Sequence, residues 1–148
     1  MFNTIVVGFD GSDMSERALR LACDLGRKYQ GDVHLVHIPQ PQTVAFAMGG
    51  MAGYSTVTTM PSQAEINAGN EKMVAAAEDI AKECDLALAQ THIESGDPGD
   101  VMVRYAELSD ADLIVTGRRG LGALGSMVQG STSLRVNHLA KCPVLTVT

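Results

Sequence analysis

The sequence predicts a doubly wound α/β fold: a five-stranded parallel sheet of order 3-2-1-4-5 with helices on both faces. Two observations lead there. Strand-like and helix-like segments alternate along the whole chain, and the strand segments are apolar almost throughout, as parallel strands covered on both faces are. A third observation concerns placement. The two most turn-rich strand exits, Asp10-Gly11-Ser12 and the segment Gly117 to Gly130, follow the first and fourth strands. In a 3-2-1-4-5 sheet these strands are neighbours at the point where the winding reverses, and ligands of such sheets lie outside the carboxyl ends of the strands at that point.

Thr4 to Phe9 is β-rich and apolar and reads as the first strand. Asp10-Gly11-Ser12 ends it just before an Asp13-x-x-Glu16 capping pattern. Met14, Ala18, Leu21, Ala22, Leu25 and Tyr29 then repeat at helical spacing, with Gly31 as the closing residue. Val33 to Ile38 reads as the second strand, halted by Pro39 and Pro41. From Gln40 to about Ser62 there is no periodicity, and Met48, Gly49, Gly50, Met51 and Gly53 mark an irregular excursion.

Ile66, Met73, Ala77, Ile80 and Cys84 define a second helix, and Leu88 to Glu94 a third strand. Asp97 and Pro98 suit the N-cap and first position of another helix, with Val101, Tyr105 and Leu108 as its apolar face. Asp112 to Thr116 is the fourth strand, Ser131 to about Lys141 the last helix, and Pro143 to Val147 the last strand. With 148 residues, 45% of them hydrophobic and 19% charged, the expectation is one domain over residues 1–148.

A net charge of −6 disfavours a general binder of nucleic acid or anionic membranes. The charge is uneven, however: from Leu113 onward there are no acidic residues, but Arg118, Arg119, Arg135 and Lys141 are present. A locally cationic end suits a small anionic ligand. Cys23, Cys84 and Cys142 have no CxxC pairing, and His34, His37, His92 and His138 lack metal-ligand spacing, so reduced packing thiols and no protein-held metal are expected. Without a signal segment or a membrane-length apolar run, the reading is a cytoplasmic protein with no membrane insertion.

The loop Thr116-Gly117-Arg118-Arg119-Gly120, nine further residues, then Gly130-Ser131-Thr132 carries glycines at Gly117, Gly120, Gly122, Gly125 and Gly130. Such residues either only close turns, or let backbone N–H groups approach a phosphate while the next helix aims its unpaired N–H groups at the same place. Gly120-x-Gly122-x-x-Gly125 imitates a dinucleotide fingerprint, but no carboxylate follows it. The same residues imitate a P-loop, but Met127 stands after Ser126 and the phosphate-reaching lysine is missing.

With its opening Ile-Val-Val-Gly-Phe-Asp-Gly-Ser-x-x-Ser, His37 at the end of strand two, Gly117-x2-Gly120-x9-Gly130-Ser131 and the closing Ala140-Lys141-Cys142-Pro143-Val144, the chain resembles the universal stress protein family in its ATP-binding branch. The resemblance covers essentially all of the chain. It implies a Rossmann-like fold, ATP with Mg²⁺ at the switch point, homodimers joined through the final strand, and a role as a nucleotide-dependent stress sensor or regulator acting on a protein partner. A slow ATPase or phosphotransfer protein, and a nucleotide-free interaction module, are the alternatives.

Carried over residue by residue, the resemblance implies that Gly117, Gly120, Gly130 and Ser131 wrap the phosphates, that Arg119 contributes backbone, and that Thr116 and Thr132 lie at the same site. Asp10, with Phe9 beside it, matches the family carboxylate near ribose and phosphates; it accepts from a ribose hydroxyl or meets Mg²⁺, or else is a turn residue. Gly8 brings the first strand's end close to the nucleotide, or permits tight packing. Ile38 lines the adenine pocket or belongs to the core. Ser12 touches phosphate or caps the first helix. Of Arg118 and Arg119, one supplies charge and the other faces solvent.

Overall fold

The computed structural model describes residues 1–49, 60–121 and 130–148. In chain order the elements are β1 (Thr4–Gly8), α1 (Asp13–Tyr29), β2 (Asp32–His37), α2 (Pro41–Ala47), α3 (Gln63–Glu83), β3 (Gln90–Ile93), α4 (Pro98–Leu108), β4 (Leu113–Gly117), α5 (Ser131–Leu139) and β5 (Val144–Val147). All pairings are parallel and the sheet runs β3-β2-β1-β4-β5, the predicted order.

Side-chain alternation along the strands divides the core in two. Ile5, Val7, Leu35 and Val115 face α1 and α3, meeting Leu19, Ala22, Met73 and Ala77. Val6, Val36 and Ile114 point the other way, toward Val101, Met102 and Ala106 of α4 and Val136 of α5. Burial on both faces is why β1 and β4 read as apolar runs, while β2 interrupts its apolar residues with Asp32, His34 and His37. The edge strand β3, Gln90 to Ile93, departs from that pattern: its residues are exposed or half-buried.

Five points differ from the sequence reading. The segment 40–62 contains α2, started by Pro41 at its first position and fixed by Thr43 Oγ1, which accepts the Gln40 N–H at 2.8 Å. Seven residues are too few to display helical periodicity. Gly50, Met51 and Gly53 of that segment, like Gly122 and Gly125 of the Gly-rich loop, lie outside the described residues. The N-cap of α1 is Ser12 rather than Asp13: its Oγ accepts the Ser15 N–H at 3.2 Å. At the other end Gln30, not Gly31, takes the left-handed conformation, with φ of 56°. Gly31 serves close approach instead, since a Cβ there would collide with the Phe2 carbonyl oxygen. On α4, Leu108 is 78% exposed, and Met102, Val103 and Ala106 complete the buried face with Val101. The last helix ends at Leu139, short of Lys141.

Candidate nucleotide-binding cleft

β1 and β4 pair directly, so their carboxyl ends open side by side, and the chain leaves them in opposite directions to α1 and toward α5. A cleft of about 600 Å³ lies there. Its floor is the end of β1 (Gly8, Phe9, Asp10) and the end of β4 (Thr116, Gly117). Ile38, just past β2, forms one wall; Arg119, Gly120 and the α5 start, Gly130, Ser131 and Thr132, form another. Eleven of the twelve site residues read from the sequence thus border one space. Ser12 does not line it: its Oγ donates to Asp10 Oδ1 at 2.6 Å and caps α1.

The glycines are there for close approach. A Cβ on Gly117 would lie 3.0 Å from the Met14 carbonyl carbon and 3.1 Å from the Ser15 nitrogen, so β4 ends hard against the first turn of α1. A Cβ on Gly120 would run into the Asp10 carboxylate, and one on Gly130 would lie 3.2 Å from the Arg118 carbonyl oxygen. Around Arg118 the backbone is pinned: its N–H donates to the Val147 carbonyl at 2.7 Å, and its own carbonyl accepts the Gly130 N–H at 2.7 Å. The Ser133 hydroxyl lies 3.0 Å from that same carbonyl oxygen.

The polar groups favour an anion. Gly130, the N-cap of α5, offers no side-chain cap, so among the described residues no cap side chain accepts from the first N–H groups of this helix. Thr116 is 3% exposed, and its Oγ1 has no hydrogen-bond partner among the described residues, as are the Nε atoms of Arg118 and Arg119. A buried hydroxyl without a partner costs free energy unless something else meets it. Asp10 is the carboxylate of the cleft floor: Oδ1 accepts the Ser12 N–H at 3.0 Å and Oδ2 the Leu121 N–H at 2.9 Å. Outside the cleft lining, Arg135 joins α5 to α4 by gripping Asp100 at 2.6 and 2.9 Å and holds that carboxyl below the usual range.

Sequence reasoning missed several residues. His37 is 1% exposed, and its Nδ1–H donates to the Phe9 carbonyl at 3.0 Å, tying the exits of β1 and β2 together. Gln40 and Thr43 of the missed helix α2 line the cleft, with Gln40 Nε2 donating to the Gly96 carbonyl at 3.1 Å. Asp97, Pro98 and Met102 close it from the α4 side. The available signal was positional: His37 ends β2, Gln40 and Thr43 follow it, and Asp97 and Pro98 start the helix after β3, whereas Met102 lies a turn inside α4. Among the described residues no cluster of three or more His, Cys, Asp or Glu is placed to hold a metal, and no helix is long and apolar enough to cross a membrane.

This geometry agrees with the sequence comparisons. The family model for the universal stress protein family matches residues 1–148. The chain belongs to the universal stress protein family. Universal stress protein YxiE of Bacillus subtilis is 31% identical over 148 residues, covering 99% of each chain. A universal stress protein of Thermus aquaticus is 34% identical over 147 residues, again with 99% of each covered. Solved universal stress protein structures superpose over nearly the whole fold. One, in complex with cAMP, has a TM-score of 0.72 at 26% identity, covering 99% of this chain and 96% of that one. Another, from Archaeoglobus fulgidus in complex with dAMP, has a TM-score of 0.68 at 26% identity, covering 98% and 97%. Adenine nucleotides therefore bind some proteins of this family with this fold.

Proposed function

We propose that this universal stress protein binds ATP with Mg²⁺ in the cleft between the β1 and β4 exits and works as a cytoplasmic regulator whose nucleotide occupancy is read by a protein partner. The observation that carries the reading is the convergence on one space of a cradle that Cβ atoms would fill and, among the described residues, a helix N-terminus without a side-chain cap and a buried hydroxyl without a partner. A phosphate chain satisfies all three. The cAMP and dAMP complexes of family members support adenine as the base.

In this reading the backbone of Gly117 to Gly120 and of Gly130 to Thr132 holds the phosphates, with Thr116 Oγ1 as an additional donor. Asp10 would accept a ribose hydroxyl or would hold the magnesium ion. Mg²⁺ supplies charge neutralisation there. Ile38 and Met102 offer apolar contact to the base. Two chains join through β5, an edge strand whose four residues are all half-buried and which among the described residues has a neighbour on one side only. Sedimentation at micromolar concentration should give twice the chain mass; a monomer would refute this contact.

Calorimetric titration of Mg-ATP into nucleotide-stripped protein tests the site. Wild type should bind one ATP per chain, while Gly130→Val, with an unchanged far-UV spectrum, should lose at least about tenfold in affinity through its obstructed cradle. Equal binding by both proteins would remove the site assignment.

A further inference from the structure

Two of the three thiols meet between α1 and α3. Cys23 lies on the α1 face that also carries Arg20 and Arg27, one turn to either side. The end of α3 delivers Glu83 and Cys84 to that face: Arg20 Nη2 donates to Glu83 Oε2 at 2.8 Å, and Arg27 Nη1 donates to the Cys84 carbonyl at 3.0 Å. Between these ties the Cys23 side chain is wholly buried in the core cluster, and Cys84, itself only half-buried, packs against that same cluster. Burial foremost pushes the Cys23 thiol up to about 12, so it is inert toward solution reagents by itself. Cys84 is the end of the pair that a reagent reaches. Cys142 sits across the sheet, packed against the α4 and α5 layer.

We propose that Cys23 and Cys84 are a redox modification site, forming a reversible intramolecular disulfide by exchange with a low-molecular-weight disulfide. Cys84 gives up its proton, and its thiolate attacks one sulfur of the reagent, forming a mixed disulfide and releasing one thiolate. Cys23 then loses its proton and attacks the Cys84 sulfur, expelling the second thiolate. Two protein thiols lose two electrons, the reagent disulfide gains them, and the two protons end on the two released thiols. The bond closes a loop of about 60 residues containing β2 and α2, the elements that bring Ile38, Gln40 and Thr43 to the cleft.

The test is to incubate purified protein with oxidised glutathione, denature it, block the remaining thiols with N-ethylmaleimide and map the peptides by mass spectrometry. The expected product is a Cys23–Cys84 linked peptide pair, an intact protein lighter by two hydrogens before blocking, and Cys142 carrying the maleimide. Dithiothreitol should reverse the link, and the linked form should melt about 5 °C higher or more. In Cys23→Ala the reaction should stop at a glutathione adduct on Cys84, and in Cys84→Ser the Cys23 thiol should remain free. A wild-type adduct on Cys84 with Cys23 still blocked by maleimide, a link through Cys142, or no reaction would each overturn the proposal; the wild-type map decides even where a variant fails to fold.

Discussion

The carboxylate of Asp10 accepts the backbone N–H of Leu121 at 2.9 Å, joining the turn after β1 to the loop after β4 beside the cleft. The other oxygen holds the Ser12 N–H and hydroxyl at 3.0 and 2.6 Å, so one side chain fixes both exits at the switch point. Asp10→Ala removes every one of these bonds. It also removes the proposed contact of Asp10 with ribose or magnesium, and one hydrogen bond to a charged group contributes about 1.5–3 kcal/mol, so Mg-ATP affinity is expected to fall roughly 10–100-fold while the protein still folds. Calorimetry beside a urea melt checks both halves of that statement, and an unchanged affinity would count against the role given to Asp10.

Gly120 and Asp10 should be coupled. A Cβ at Gly120 would occupy the space of Asp10 Oδ2, so Gly120→Ala must swing the carboxylate off Leu121. In the Asp10→Ala background that conflict is gone. A double-mutant cycle on ATP affinity should give a coupling on the order of 1 kcal/mol, and strictly additive effects would show that the two do not interact.

At Gly117 the conflict is with backbone. The first turn of α1 cannot yield as a side-chain tip can, so Gly117→Ala should destabilise the fold by about 1–3 kcal/mol as well as weaken binding. Chemical denaturation should show a lower midpoint at constant slope. A midpoint equal to wild type would mean that α1 and β4 separate more easily than their contact suggests.

How much of this was legible beforehand depends on where the signal lies. Strands buried on both faces announce themselves through runs such as Ile5-Val6-Val7, and the alternation of elements announces a parallel doubly wound sheet, whose expected order the structure matches as β3-β2-β1-β4-β5. The Gly-rich loop was legible because glycine spacing reports close approach. Helix α2 was not, because it is held by Thr43 and by packing of Val44 near Gly69 rather than by its own periodicity. His37 could be seen in the sequence but not its purpose, since its partner is a carbonyl 28 residues away. Ser12 had two readings, and its bonds to Ser15 and Asp10 assign it to the helix cap.

His37→Leu would leave the Phe9 carbonyl without its donor in a buried setting. The expected loss is about 1–3 kcal/mol of stability, measured by urea unfolding. A change within about 0.5 kcal/mol would imply that another group reaches that carbonyl.

Away from the cleft, Asp112 accepts the Thr4 and Asn3 N–H groups at 3.0 and 2.7 Å, which hold its carboxyl below the usual range, the Thr4 bond foremost. A depressed folded-state value means that its stabilisation is present above the unfolded-state value near 4 and is lost as pH falls through the folded one. The stability difference between wild type and Asp112→Ala should therefore be constant above about pH 5 and shrink in more acid solution. A difference that grows on acidification would contradict the sign.

The most direct test of the central claim is to denature freshly purified protein, remove it, and identify the released small molecules by liquid chromatography and mass spectrometry, with and without prior incubation with Mg-ATP. The account predicts an adenine nucleotide approaching one per chain, reduced in Gly130→Val. No nucleotide in either sample, from protein that remains folded, would contradict it.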